Sequence, residues 1–335
     1  MPGGTPAHWR RLKTDMAHST RSPKLAAARL SVFTALVLAI LKLLTGLFTG
    51  SLAVLTSAID SLLDILMSGI NMMAIHHAEQ PADDEHPYGH GKFETLATIF
   101  QALVIALSGA WIIYEAIQRM IEASPIKQTG LGIAVMSVST VASFLISRHL
   151  RRVAKATDSS ALEADSLHFS MDVYTNLALL TGLVLLSRFD LPWLDPVMSA
   201  LVAIYILFES LRLLRQGMRD ILDEQLPETV RREIEKLIDD HKLELTGYHN
   251  LRTRRAGSQK LIDFHLTVCK HLSVEEAHDI TDYIEKKIGE HIIGTDVTIH
   301  VEPCRRPDCP GREACPIRAV RHADADEKEG AGATN

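Results

Sequence analysis

The sequence predicts two parts: an all-α domain of six transmembrane helices, followed by a cytoplasmic α+β domain with the ferredoxin-like order αββαβ. Three observations lead to this fold class. Nearly all the long apolar runs fall in residues 26–216. Residues 217–303 instead show the helix and strand periodicities of ordinary soluble sequence. The mean hydropathy of +0.08 is high for a chain with 23% charged residues, because it averages two unlike halves.

Four segments follow from these changes in composition. Residues 1–25 are polar and basic, without the apolar core and cleavage site of a secretory signal, and we expect a cytoplasmic tail. Residues 26–216 are the predicted membrane domain, and residues 217–303 the cytoplasmic domain. Residues 304–335 form a cysteine-containing tail whose charged, Ala- and Gly-rich end predicts disorder. A net charge of −6, without a basic cluster that includes aromatic residues, excludes nucleic acid as the expected partner.

Each predicted span is an apolar run close to the length of about 20 residues that crosses the hydrocarbon of a bilayer. The third is the clearest, because it carries no formal charge. The turn between the first two spans, 49–51, is so short that it predicts antiparallel neighbours. The spans are predicted at Ala26–Phe48, Leu52–Ile75, Thr95–Tyr114, Thr129–Ser147, Ser160–Ser187 and Leu194–Leu214.

Basic residues near the ends of spans predict the orientation, since Lys and Arg concentrate on the cytoplasmic side. The basic segments alternate as six spans require, which predicts that both termini face the cytoplasm. We expect the protein in the inner (plasma) membrane. The basic segments are the N-terminal tail, a connection with Arg148, Arg151, Arg152 and Lys155, and a segment with Arg212, Arg215 and Arg219.

The cytoplasmic domain is predicted from alternating periodicities, with Gly257 and Ser258 as a turn between two strands. The predicted elements are a helix at Glu228–His241, strands at Tyr248–Arg255 and Leu261–Cys269, a helix at Val274–Glu290 and a strand at Asp296–Glu302.

Two pairs of ionisable residues lie inside apolar spans. Asp60 and Asp64 are one helical turn apart in the second span, and His168 and Asp172 have the same spacing in the fifth. A charged Asp at the bilayer centre costs about 2.5–3.5 kcal/mol, so a compensating interaction is expected. Two antiparallel helices could join the pairs into a four-ligand cation site. The alternative is that protonated acids form polar contacts between helices.

Three carboxylates and one imidazole, without sulfur, suit tetrahedral Zn²⁺. This donor set does not exclude Cd²⁺, Fe²⁺, Co²⁺ or Mn²⁺. Carboxylates and imidazole bind metal only when they are deprotonated, so metal and protons compete for the same site.

A second cluster lies in the connection after the second span. Asp83, His86 and His90 have spacings of three and four, which would let them converge on one ion if the connection is structured. The alternative is a solvated acidic loop with incidental histidines.

A third cluster follows from strand alternation, which sends successive side chains to opposite faces. His265 lies on the face opposite the apolar Phe264 and Leu266. His300 and Glu302 likewise share the outward face of the last strand. Exposed histidines on a sheet are often ordinary polar surface, and that alternative stays open here.

The cysteines give no clear prediction. Their spacing matches no common zinc ribbon, and a cytoplasmic location predicts reduced thiols. Free thiols and an added soft-metal site therefore both remain open for Cys269, Cys304, Cys309 and Cys315.

The D-x-x-x-D and H-x-x-x-D spans, the six predicted helices and the αββαβ domain together resemble the cation diffusion facilitator family of divalent-metal exporters, over residues 25–303. The resemblance implies that Asp60, Asp64, His168 and Asp172 form the transport site. It also implies a homodimer in the lipid bilayer that exports metal in exchange for protons.

The resemblance extends to the two other clusters. The G-H-G-K run of the family corresponds to 89–92, and its minor cytoplasmic metal site to Asp83, His86 and His90. A binuclear zinc site near the cytoplasmic dimer interface is implied for His249, His265, His278, His300 and Glu302. Bacterial relatives more often carry Asp at the last of these positions, so the longer Glu302 is expected to change the geometry or the metal that fits.

The expected function is therefore proton-coupled export of divalent metal, with Zn²⁺ first because the imidazole of His168 suits it. Zn²⁺ is also expected as a structural or regulatory ion of the soluble domain. A non-transporting metal sensor anchored in the membrane is one alternative. An intramembrane metalloenzyme is another, but 86–90 lacks the internal Glu of H-E-x-x-H, and we expect no enzyme.

Overall fold

The computed structural model describes residues 22–49, 52–122, 130–189, 194–239 and 247–305. The chain divides into two compact units, with the boundary between Met218 and Arg219. The predicted N-terminal tail before residue 22, the turn residues 50–51 and the tail beyond residue 305, with Cys309 and Cys315, lie outside the described residues.

The first unit is built of long α-helices. Five of them are long and apolar enough to cross a membrane. The exception is the helix that begins at Ser160: its 30 residues are sufficient in length, but it carries Glu163, Asp165 and Asp172 in its first half. The helices are α1 (Pro23–Thr49), α2 (Leu52–Ala78), α3 (Lys92–Glu122), α4 (Gly130–Thr157), α5 (Ser160–Phe189) and α6 (Leu194–Ile221).

The helices extend beyond the predicted spans. The basic segment that the sequence suggested as a connection, Arg148, Arg151, Arg152 and Lys155, lies on the last turns of α4, so the prediction of a loop there was wrong. Hydropathy locates the apolar part of a helix, and a helix that continues into a polar environment has no such signal. The connection from α4 to α5 consists of only 158–159, and Asp158 has a φ of 52°.

Small residues let these helices approach closely. Ala27, Ala28 and Ala161 are almost fully buried in the packing between α1, α4 and α5. At Gly46 of α1, a Cβ atom would come within 2.8 Å of Leu55 on α2. Large apolar side chains such as Phe33 and Leu107 are mostly exposed on the outside. Small residues inside and large apolar residues outside are typical of helices that pack within lipid.

The second unit has the αββαβ order that the sequence predicts. Strands β1 and β2 pair antiparallel, and β3 pairs with β2 in parallel, giving the sheet order β1-β2-β3. The parallel pair requires a crossover, which α8 supplies. The elements are α7 (Glu228–Asp239), β1 (Gly247–Ala256), β2 (Gln259–Val268), α8 (Val274–His291) and β3 (Thr295–Pro303); the predicted end of α7 at His241 lies outside the described residues.

Helices α7 and α8 cover one face of the sheet. Phe264 and Leu266 of β2 are buried against Ile234 of α7 and Ile284 of α8. The N-terminus of α8 has a capping box, in which Ser273 accepts from the backbone of Glu276 while the Glu276 side chain accepts from the backbone of Ser273. The apolar face is therefore used by the core, and the opposite face of the sheet is left for other contacts.

Two glycines of the α8–β3 region give a test of this packing. Gly294 has a φ of +74°, and a Cβ atom there would lie 2.8 Å from the backbone oxygen of Ser258. We expect Gly294→Ala to destabilise the soluble unit by about 1–3 kcal/mol. Gly289→Ala is the matched control, because its Cβ would meet only Thr295 Oγ1 at 3.8 Å within a helix. Pulse proteolysis of the intact protein across a urea series measures both, and equal midpoints would contradict the expectation.

Candidate metal sites in the membrane and soluble units

The contact between α2 and α5 joins the two predicted ligand pairs. His168 Nε2 lies 2.9 Å from Asp64 Oδ1, and the two side chains are only 11% and 14% exposed. His168 Nε2 and a carboxylate oxygen are both metal ligands when they are deprotonated. This pair is therefore the most enclosed set of candidate ligands in the first unit.

The other two residues of the predicted quartet are less enclosed. Asp60 is exposed and Asp172 is half-buried. Asp172 interacts electrostatically with Asp64 and His168. Among the described residues, however, the groups of three or more ligand atoms that lie within 4.8 Å of one another do not include this quartet. The structure brings Asp64 and His168 together, and the complete four-ligand site stays a prediction.

Sequence reasoning did not identify Asp165, which is fully buried on α5. Its carboxylate accepts hydrogen bonds from Ser31 on α1, Ser68 on α2 and Gln101 on α3. The signal was available, because Asp165 is a third acid in the first half of an otherwise apolar span and lies three residues before His168.

The connection between α2 and α3 does bring its predicted cluster together. Asp83 Oδ1 lies 3.5 Å from His86 Nδ1, and Asp83 Oδ2 lies 3.3 Å from His90 Nε2. The ring centroids of His86 and His90 are 4.6 Å apart. These three residues form one of the two close ligand groups among the described residues.

Local backbone structure holds this cluster in place. The backbone amides of His86 and Glu85 donate to Asp83 Oδ1, at 2.6 and 3.0 Å. The hydrogen bond from His86 is the largest cause that holds the pKa of Asp83 below its usual value. His90 is only 8% exposed, and its Nδ1 has no hydrogen-bond partner among the described residues. The cluster thus offers an ionised carboxylate and two imidazoles.

The second close ligand group lies on the face of the sheet that α7 and α8 leave uncovered. His249 pairs with His265 across β1 and β2, and His265 pairs with His300 across β2 and β3. His265 Nδ1 lies 2.9 Å from Glu302 Oε1, and His249 Nε2 lies 3.6 Å from Glu302 Oε2. Both histidines therefore meet one carboxylate.

An irregularity in β1 sets the position of His249. The pairing register shifts between His249 and Arg252, and Asn250 there has a φ of 55°. A bulge of this kind redirects neighbouring side chains. With His249 in this position, its ligand atom joins those of His265 and Glu302 in the close ligand group.

The remaining two residues of the predicted set lie outside this group. His300 Nε2 is 3.9 Å from Glu302 Oε1, and its side chain is 66% exposed. His278 is exposed on α8, and the close group does not include it. Their participation stays a prediction.

Histidines surround the Glu302 carboxylate and favour its ionised form. The hydrogen bond with His265 is the largest cause, and the charges of His249, His265 and His300 act in the same direction. Together they hold the pKa of Glu302 below its ordinary value of 4.5. A carboxylate that stays ionised in mild acid is ready to bind a cation.

We expect His265→Ala to raise the pKa of Glu302 toward its ordinary value, because the largest cause of the lowered pKa is removed. A lowered folded-state pKa contributes stability that is present above 4.5 and is lost as the pH falls through the folded value. The variant should lose this contribution. Carbon-13 NMR titration of the Glu302 carboxyl in metal-free protein measures the shift. His278→Ala is the control, and an unchanged Glu302 titration in His265→Ala would contradict the assignment.

Comparison with known proteins agrees with both units. Residues 28–222 match the model of the cation efflux transmembrane domain, and residues 226–304 match the cation efflux protein, cytoplasmic domain. The cation-efflux pump FieF of Shewanella oneidensis is 39% identical over 277 residues, covering 83% of this chain and 93% of that protein. FieF of Salmonella typhimurium is 34% identical over 234 residues, covering 70% and 77%.

Two solved structures each cover about a quarter of this chain. The zinc form of the putative zinc transporter CzrB is 36% identical and covers 24% of this chain and 92% of that chain, with a TM-score of 0.24. The metal-bound C-terminal domain of the CzcD transporter from Thermotoga maritima is 28% identical and covers 25% and 100%, with a TM-score of 0.23. From the two family matches and the efflux-pump relatives, the chain belongs to the cation diffusion facilitator family, a family of multi-pass membrane transporters that export divalent metal cations.

Proposed function

We propose that this protein is a proton-coupled antiporter that exports divalent metal cations, Zn²⁺ first, from the cytoplasm. The observation that carries the proposal is the contact of Asp64 with His168 between two long, otherwise apolar helices. A carboxylate and an imidazole that are nearly excluded from solvent need a charged or hydrogen-bonded partner. When metal is absent, Asp64 and His168 are partners for each other. A bound cation can replace the proton that they share.

The exchange of metal for protons follows from the ligands. Zn²⁺ binds carboxylates and neutral imidazole only after their protons leave. In the proposed cycle, Asp60, Asp64, His168 and Asp172 release protons when metal arrives from the cytoplasm. They take up protons again after the metal leaves on the other side. Conformational change between inward and outward access completes the cycle.

The two other clusters have supporting roles in this proposal. Asp83, His86 and His90 form a minor cytoplasmic site on the connection that precedes α3. His249, His265 and Glu302 hold a regulatory or structural metal in the soluble unit, with His278 and His300 as further ligands. The match to a cytoplasmic domain of efflux proteins supports a homodimer assembled through this unit. We place the protein in the inner membrane, with residues 1–25, 217–303 and 304–335 in the cytoplasm.

A second candidate function is a membrane-anchored metal sensor that transports nothing. It is favoured by the ligand atoms of His249, His265 and Glu302, which lie closer together than those of the predicted quartet. A sensor function would not explain the enclosed contact between Asp64 and His168. Transport assays therefore separate the two functions.

The central test is Zn²⁺ uptake into inverted membrane vesicles with an imposed pH gradient, acidic inside. We expect Asp64→Ala combined with Asp172→Ala to lower the initial rate by at least about 100-fold, since loss of residues that only orient metal ligands already costs about 10- to 100-fold. Glu163→Gln is the matched control, because Glu163 is an exposed acid on the same helix as Asp172. Uptake that persists in the double variant would contradict the transport site, and uptake that ignores the gradient would contradict antiport.

The preference for Zn²⁺ gives a separate prediction. His168→Asp converts the proposed site to carboxylates alone, and hard ions such as Mn²⁺ prefer oxygen ligands. We expect the ratio of Zn²⁺ to Mn²⁺ transport to fall by about tenfold, the scale of changes around a metal's ligands. Competition between the two ions in the same vesicles measures the ratio. An unchanged ratio would show that His168 does not set the preference.

A further inference from the structure

Asp165 has an environment unlike that of any predicted ligand. Its side chain is completely buried, and the hydrogen bonds that it accepts within the described part of the chain come from neutral groups. Ser31 Oγ lies 2.5 Å from Oδ2, Ser68 Oγ 3.2 Å from Oδ1, and Gln101 Nε2 3.3 Å from Oδ1. The two serine hydroxyls are also 3.0 Å apart. One carboxylate on α5 thus joins α1, α2 and α3.

This carboxylate belongs to a regular series of contacts between α2 and α5. Asp64 meets His168, Ser68 meets Asp165, and Asn71 Nδ2 donates to the backbone oxygen of Ala161 at 2.9 Å. The residue numbers rise along α2 while they fall along α5, so the helices run antiparallel. Each step is three or four residues on either helix, which is one helical turn.

The same step leads from the observed contacts to the rest of the proposed quartet. Four residues before Asp64 on α2 is Asp60, and four residues after His168 on α5 is Asp172. These two acids therefore occupy the next position of the series. A helix is stiff over two turns, so the register at Asp165 fixes how Asp60 and Asp64 face His168 and Asp172.

Loss of the Asp165 side chain would remove a buried acceptor from Ser68 and Gln101, while Ser31 could still donate to Ser68. Ser31, Ser68 and Gln101 are each at most 1% exposed. A buried donor that loses its acceptor is costly, so we expect the packing around position 165 to readjust when the carboxylate is removed. The nearest contact of the series is Asp64 with His168, one turn away.

We propose that Asp165 is the positioning residue of the metal site: its hydrogen bonds to Ser31, Ser68 and Gln101 set the register of α5 against α2, and thereby the geometry of the four ligands. Asp165 does not itself bind the metal. The inference rests on the proposed transport function, and it concerns the shape of the site, not its charge.

The test compares two substitutions of one residue. In Asp165→Asn, the amide oxygen accepts from Ser68 and Gln101, and the amide nitrogen donates to Ser31, whose hydroxyl can turn to Ser68. Asp165→Ala removes every contact. We expect the KM for Zn²⁺ in vesicles to rise by about tenfold in Asp165→Ala, the lower end of the cost of losing a residue that orients metal ligands. In Asp165→Asn we expect a rise of less than about twofold.

Two variants of α1 test specificity, and a measurement of folded protein corrects for folding. Ser31→Ala should raise the KM in the same direction as Asp165→Ala. Thr34→Val on the same helix should not, because among the described residues the Thr34 hydroxyl donates to the backbone oxygen of Leu30 in its own helix. The amount of folded protein, measured by fluorescence-detected size exclusion, normalises each rate. A merely structural role would lower that amount and leave the KM of the folded protein unchanged.

Three results would overturn the proposal: an unchanged KM in Asp165→Ala, a loss only of folded protein, or equal defects in the Asn and Ala variants. The last would mean that Asp165 acts through its charge. If the unmodified protein moves no Zn²⁺, the transport function fails. The register is then tested by hydrogen exchange of the α2 and α5 backbones. Faster exchange in Asp165→Ala than in Asp165→Asn supports the register role, and equal exchange overturns it.

Discussion

The requirement that a buried polar group find a partner governs the helical unit. Helix α5 carries Asp165, His168 and Asp172 among apolar residues, and each such group is costly in a lipid environment unless it is compensated. The neighbouring helices supply partners at successive turns: Asp64 and Ser68 of α2 contact His168 and Asp165, Thr98 of α3 bonds to Ser160, and Ser147 of α4 bonds to Ser166. Because these contacts come from α3 and α4 as well as α2, α5 is central to the packing of the unit. Its polar side chains explain both its low hydropathy and its interior contacts.

The candidate sites differ in how much the protein encloses them. Asp64 and His168 are nearly excluded from solvent, so their partner must come from the protein or from a bound cation. Asp83 is exposed and Glu302 is half-buried, so water can reach both carboxylates without metal. Metal can therefore enter and leave the exposed sites without disturbing a core. At the enclosed site, binding and the protonation of the ligands are bound to be linked.

The sequence was sufficient for the fold class because the patterns that specify it are local. The apolar runs predict the helices, and alternation along β2 correctly separates the buried Phe264 from the outward His265. Helix ends were harder, as α4 shows, since nothing in hydropathy marks where a helix stops outside the apolar zone. The bulge that positions His249 depends on strand pairing, which a single sequence does not specify. Asp165 was missed because its role depends on three partners from distant parts of the chain.

The two-residue connection between α4 and α5 limits how this unit can move. With Asp158 in the left-handed region and Ser159 bonded to Glu94, the connection offers no slack for one helix to slide along the other. So short a connection couples any displacement of α4 to α5. The longer connection 79–91, between α2 and α3, has enough length to absorb a displacement. The same connection carries Asp83, His86 and His90. A cation bound between those side chains would therefore restrict the conformational change of this connection.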